Sequence, residues 1–232
     1  MTATGKWGRR AGWGTLVAVL AIGCNPITLP FVLLRPEPKI PAEYPFRPKE
    51  GEKSDKDDEL SVLVLCHHGS GVGYEFAGAD RELASLLAKR MPELAKECKD
   101  NLVIIPPTQV DKFKMSNPNW RYMRATAIGK QLGADCVMEV HLGKVNVYQP
   151  GSAMQIYEGR AEVAVDVYDV SAEEEEPKHR YVLPFSYPKT GMIARDNVPP
   201  SRFKQQFLER LALDLSRKHI EHKMGAGIGL ER

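Results

Sequence analysis

The run Cys66-His67-His68-Gly69-Ser70-Gly71-Val72-Gly73 holds the densest set of side chains capable of chemistry in this chain. An imidazole can move a proton or ligate a metal, and glycine-rich backbone after a strand can aim amides at an anion or a carbonyl. The spacing completes neither arrangement. An esterase needs a Gly-x-Ser-x-Gly elbow for its nucleophile, and no serine here has those neighbours. Gly69-x-Gly71-x-Gly73 lacks the register of a dinucleotide loop, and no Lys-Ser or Lys-Thr pair follows to complete a phosphate loop. His67 and His68 are adjacent, so on a strand they point to opposite faces. His141 falls beside Glu139 on a polar strand face, and His219 with His222 reads as cations near a helix end. The expectation is therefore no catalytic residue, no metal and no cofactor. His67, His68, Gly69, Ser70, Gly71 and Gly73 remain as a ligand loop, placed where α/β sheets hold small molecules.

A second chemical position is Cys24. Lys6, Arg9 and Arg10 precede a short apolar run from Leu16, and Gly23 stands before the cysteine. A basic head, an apolar core and small residues before a thiol form the pattern of a bacterial lipoprotein signal peptide, which predicts cleavage of 1–23 and lipid (palmitate) on Cys24. The stretch Leu16 to Leu34 also approaches the length of a membrane span, though Pro26 and Pro30 interrupt it. Either reading places the chain at a membrane of the cell envelope. The lipoprotein reading faces it to the periplasm, with the outer membrane favoured over the inner.

Composition narrows the remaining classes. The formal charge of the 232-residue chain is +2, but the leader holds three of the cations and no acid, so the mature protein carries −1. A basic pI is then no argument for nucleic acid, and none is expected as a partner. Cys66, Cys98 and Cys136 are widely spaced, without a Cys-x-x-Cys pair, and sit among apolar neighbours, which suits buried thiols. A disulfide among them stays open in an oxidising compartment.

These positions need elements to hold them. Residues 24–59 are rich in proline and charge and read as the lipidated end and a tether, or as an arm packed through Ile40, Tyr44 and Phe46. One domain is expected over 60–222, followed by a flexible glycine-rich tail at 223–232. Ser61 to Cys66 predicts a strand covered on both faces. Asp80 caps a helix carrying Leu83, Leu87 and Met91, which Pro92 ends or kinks. Leu102 to Ile105 is a short strand, Thr108 and Asp111 cap a brief turn, and Asn117-Pro118 opens a helix that Gly133 closes. From Cys136 the apolar period is two, with a phase change near Gly143 that marks a β-bulge. Ala161 to Val167 is a second alternating strand, and the acidic tip Glu173 to Glu176 leads to a third. There Tyr181, Leu183, Phe185 and Tyr187 alternate, and Pro184 makes it an edge where a partner strand can dock. Ser201 opens a last helix striped by Phe203, Phe207, Leu208, Leu211 and Leu215. The predicted class is α/β (α+β), a mixed sheet with a three-strand antiparallel meander and helices packed on it.

The passage Leu132-Gly133-Ala134-Asp135-Cys136-Val137-Met138, with the long hairpin ending at Val163 to Val170, resembles a helix–turn–strand junction in a group of bacterial envelope proteins. The group holds the amino-terminal domain of the Tol-system protein TolB, the curli-secretion lipoproteins and the lipoprotein activators of penicillin-binding proteins. The resemblance covers about residues 60–222. It implies a TolB-N-like domain, no catalytic residues, and binding to other envelope proteins. Pore-forming hairpins and a propeller, found in some of these proteins, have no counterpart here. The function expected is thus a lipid-anchored, non-catalytic envelope accessory of transport or assembly; the alternative is an enzyme or ligand-binding domain using the His67–Gly73 loop.

Overall fold

Strand β2 (Leu60–His68) lies inside the sheet, and its sequence explains why: Val62, Leu63, Val64, Leu65 and Cys66 are all buried, so both faces are covered. In the computed structural model, residues 38–47, 58–69, 73–172 and 176–224 are described. The leader, Cys24, Ser70, Gly71, Glu173 to Glu175 and the tail from Gly225 lie outside the described residues. On one side β2 pairs in parallel with β3 (Leu102–Ile104), on the other with β4 (Cys136–Tyr148). Antiparallel β5 (Ile156–Asp169) and β6 (His179–Tyr187) follow, giving the order β3-β2-β4-β5-β6, with short β7 (Ile193–Ala194) on β5. The class is therefore mixed α/β. The register of β4 against β5 shifts between Leu142 and Val145, the bulge that the change of phase at Gly143 requires.

Helices cover both faces. Helix α1 (Ala79–Glu97) and the last helix (Pro200–His219) pack on Val62, Val64, Met138 and Val165. Helix α2 (Pro107–Ser116) and α3 (Ala125–Leu132) pack on Leu63, Leu65 and Val137. The final helix, α4, buries the expected stripe completely: Phe203, Phe207, Leu208, Leu211 and Leu215.

Helix starts differ from the expectation. Gly78 in the left-handed region precedes α1, Pro106 precedes α2 and Pro199 precedes α4, and none gives a side-chain cap bond. Asp80 and Thr108 sit inside first turns instead. Pro92 does not end α1, because Leu94 and Ala95 beyond it are buried on the same core and offset one lost backbone bond. Asn117 closes α2 rather than opening a helix, and Trp120 lies in a 3-10 turn (Trp120–Tyr122) before α3. Gly133 ends α3 with φ 72°, which suits glycine, and Asp135 then accepts the Ser61 N–H at 2.8 Å, tying the start of β4 to β2.

The proline-rich stretch takes the packed-arm form over its described part. The compact unit begins at Lys39, not at residue 60. Strand β1 (Lys39–Ile40) pairs antiparallel with β8 (His222–Lys223), so Lys223 belongs to the fold and not to the tail. Phe46 is only 4% exposed, and Tyr44 stacks on Tyr181 with ring centroids 4.2 Å apart. Apolar rings outweigh proline's preference for an extended solvated chain here. His219 and His222 do not share a helix face: α4 stops at His219, which is buried. Cys66, Cys98 and Cys136 are free and buried.

Candidate functional site

The two strands flanking β2 make its carboxyl end distinctive. β3 stops at Ile104, opposite Val62, whereas β4 continues alongside β2 to the His68–Leu142 pair. Ile105 N–H still reaches the Val62 carbonyl at 2.9 Å. With a backbone period of two, Val64 and Cys66 present their N–H and C=O to that same edge, past the end of β3. β2 leads to α1 on one face and β3 to α2 on the other, so a crevice opens between them, the arrangement in which α/β sheets hold ligands. It has a volume of about 430 Å³ and is lined by Cys66, Asp80, Arg81, Asp111, Lys114 and Trp120. Arg81 pairs with Asp111 at 2.6 Å. Lys114 Nζ stands 4.3 Å above the Trp120 ring, and burial pushes its pKa down.

The two histidines diverge as neighbours on a strand must. His68 is exposed and its Nε2 lies 4.0 Å from Asp80 Oδ1, toward α1. His67 takes the other face and stacks between two rings, Trp120 at 5.2 Å and His141 at 4.8 Å between centroids. His141 stands opposite it by strand register, and Glu139 lies two residues earlier on the same face. His67 Nε2 is 2.9 Å from Glu139 Oε1 and His141 Nε2 is 3.6 Å from the same oxygen. The closer contact sets the buried His67 nitrogen directly against the carboxylate. The His67 imidazole holds the Glu139 carboxyl below its usual range against the opposing effect of burial. Gly69 donates its N–H to Leu142 O at 3.0 Å, and Gly73 O accepts from Phe76 N–H at the 3-10 turn Tyr74–Phe76.

The grouping of Glu139 with His141 follows from alternation along one strand. Their meeting with His67 and Trp120 does not, because residues some seventy positions apart meet only through the pairing register of β2 with β4.

The second expected site is β6. It is the terminal strand of the sheet order, and no strand among the described residues pairs with its outer edge. The side chains of Tyr181, Leu183, Phe185 and Tyr187 pack toward α4 and the core, Phe185 buried and the other three half-buried. Arg180, Val182, Pro184 and Ser186 face outward, and Val182 is 54% exposed. Beside Leu183 to Ser186 runs a groove of about 600 Å³, also lined by Ile40, Lys189, Asp214 and Lys218. No helix among the described residues is long and apolar enough to cross a membrane.

No protein-family model matches the chain, and no curated protein matches it. Solved structures similar in outline include lipoprotein GNA1162 from Neisseria meningitidis, at 11% identity and TM-score 0.42, covering 68% of this chain and 98% of that one. The PelC dodecamer from Paraburkholderia phytofirmans has 12% identity and TM-score 0.38, over 68% of this chain and 87% of that one. Hypothetical protein CT253 from Chlamydia trachomatis has 13% identity and TM-score 0.40, over 68% and 96%.

Proposed function

We propose that this chain is a lipid-anchored protein of the bacterial cell envelope that binds other envelope proteins and catalyses no reaction. In this reading residues 1–23 are a signal peptide, Cys24 carries the lipid, and the domain works in the periplasm, at the outer membrane in preference to the inner. The domain is then a TolB-N-like module whose β4, β5 and β6 form the meander that the resemblance implies. The observation that carries the proposal is the open edge of β6 beside a groove lined by both apolar (Ile40, Leu183, Phe185) and charged (Lys189, Asp214, Lys218) side chains. Backbone groups on such an edge accept a partner's strand, and the groove takes its side chains. Pro184 removes one donor from the edge, so the added strand pairs on either side of it. Against nucleophilic chemistry stand the thiols: burial pushes Cys66 up to about 12 and Cys136 up to about 11, far from thiolate at neutral pH.

The crevice at the end of β2, the strand that leads into the His67–Gly73 loop, supports a second reading, a small-ligand site lined by Cys66, Asp80, Lys114 and Trp120. One experiment separates the two. A photo-crosslinking residue is placed in cells at Val182, on the edge, or at Met115, on the crevice rim and 77% exposed. Palmitate labelling is compared in parallel with Cys24→Ala. Docking predicts a discrete protein adduct from position 182 only, together with label that the Cys24 variant lacks. Adducts from 115 alone favour the crevice, and an unlabelled, unanchored protein without adducts overturns the proposal.

A further inference from the structure

His67, Glu139 and His141 are the only three-residue group of metal-ligating side chains among the described residues whose donor atoms converge, all within 4.8 Å of one another. We propose that they form a binding site for a divalent transition-metal ion, with Zn2+ the best match. The fold supplies the geometry. Two ligands lie at i and i+2 on β4, hence on one face, and the third is set beside them by the parallel register of β2. Both strands are internal to the sheet, so the donors stand on rigid elements.

The donor set matches the ion in number and kind. Two imidazoles and one carboxylate form a zinc triad that leaves a fourth position for water or an incoming group. Bonds of about 2.0–2.1 Å in a tetrahedron place ligand atoms about 3.3 Å apart. Two of the three present separations, 2.9 and 3.6 Å, bracket that distance, and the third, between the two imidazoles, lies within 4.8 Å. Imidazole ligands favour Zn2+, Co2+, Ni2+ and Cu2+ over Mg2+ and Ca2+. One adjustment is needed. The His67 and His141 planes are 12° apart, and parallel rings cannot both aim a lone pair at one point. His141 is 47% exposed on its side chain, so its ring turns about the soft χ2 torsion without disturbing the core. His67 is held by Trp120, which also shields one side of the site from solvent.

A bound ion also suits His67 Nε2, a buried polar atom whose near partner is the half-buried Glu139 carboxylate, itself a ligand of the site. The site is separate from the β6 edge and meets the crevice at Trp120 without sharing a ligand with it, so it stands whether or not either is used.

The test is calorimetric titration of the untagged full chain with Zn2+, repeated with Co2+ to read its visible ligand-field bands. We expect one ion per chain with a Kd of about 10 µM or tighter. His67→Ala, Glu139→Gln and His141→Ala should each weaken binding at least about tenfold and bleach the Co2+ bands. His68→Ala, on the opposite sheet face, should leave both unchanged. Circular dichroism checks each fold, and His141→Ala, at a half-exposed position, is the deciding variant if His67→Ala unfolds. A Kd above about 10 µM, or an affinity that His141→Ala does not move, overturns the site.

Discussion

His219 sits where the arm meets the sheet, and its two ring nitrogens have different jobs. Nδ1 is 2.7 Å from the Tyr44 carbonyl, which can only accept, so Nδ1 carries the proton. Nε2 is then left to accept from the Tyr181 hydroxyl, also at 2.7 Å. The ring is neutral in this network, and burial lowers its pKa from 6.5 to about 4. The unfolded chain takes up a proton near pH 6.5 that the folded chain refuses until about pH 4. Stability is therefore full above pH 6.5 and falls through that window as pH drops, by on the order of 3 kcal/mol. Denaturant unfolding at successive pH values should show this slope, and His219→Gln should flatten it; equal slopes in both proteins would contradict the assignment. The sequence does not reveal this residue's role, because one partner comes from an arm some 175 positions away and the other from β6. The same limit applies to His67. Residue type and strand alternation were readable there, whereas the register that brings His141 beside it is a property of the sheet.

Elements whose signal is a period were legible in the chain. β2, β5 and α4 stand close to their expected places, because long apolar patterns have one good solution against a core. The bulge was legible too, since an extra residue must change the phase of alternation. Helix starts were less so: a carboxylate or hydroxyl near a helix start competes with glycine and proline, whose backbone geometry decided α1, α2 and α4. Gly159 shows how closely β5 and α4 approach. A β-carbon there would fall on the Phe207 ring and lie 3.2 Å from Phe203 Cζ, both fully buried. Gly159→Ala should cost about 1–3 kcal/mol, because neither ring has space to retreat. Chemical denaturation would measure it, and a neutral result would mean that α4 shifts freely on the sheet.

For the molecule as a whole, the arm over 39–47 matters as much as the sheet. Phe46 stacks on His219 at 4.7 Å, Lys178 donates to the Phe46 carbonyl at 2.7 Å, and Arg47 Nε bonds Asp100 at 3.0 Å. Phe46→Ala should destabilise the protein by about 3–5 kcal/mol, as for other buried aromatic truncations. If thermal unfolding instead changes by less than about 1 kcal/mol, the arm is not part of the cooperative unit. The alternation of proline with rings left this segment open between tether and arm, and only contacts with β6 and α4 decide it. The first described strand also meets the last, Lys39 opposite Lys223 and Ile40 opposite His222. Tension applied to the two ends therefore pulls this pair apart crosswise, one bond after another, instead of sliding it in shear. The clasp yields at low force, and load then passes to Tyr44, whose N–H holds the Lys218 carbonyl at 2.8 Å. A domain drawn by its front end against a fixed partner would give first at this corner, leaving the six-strand sheet unstretched.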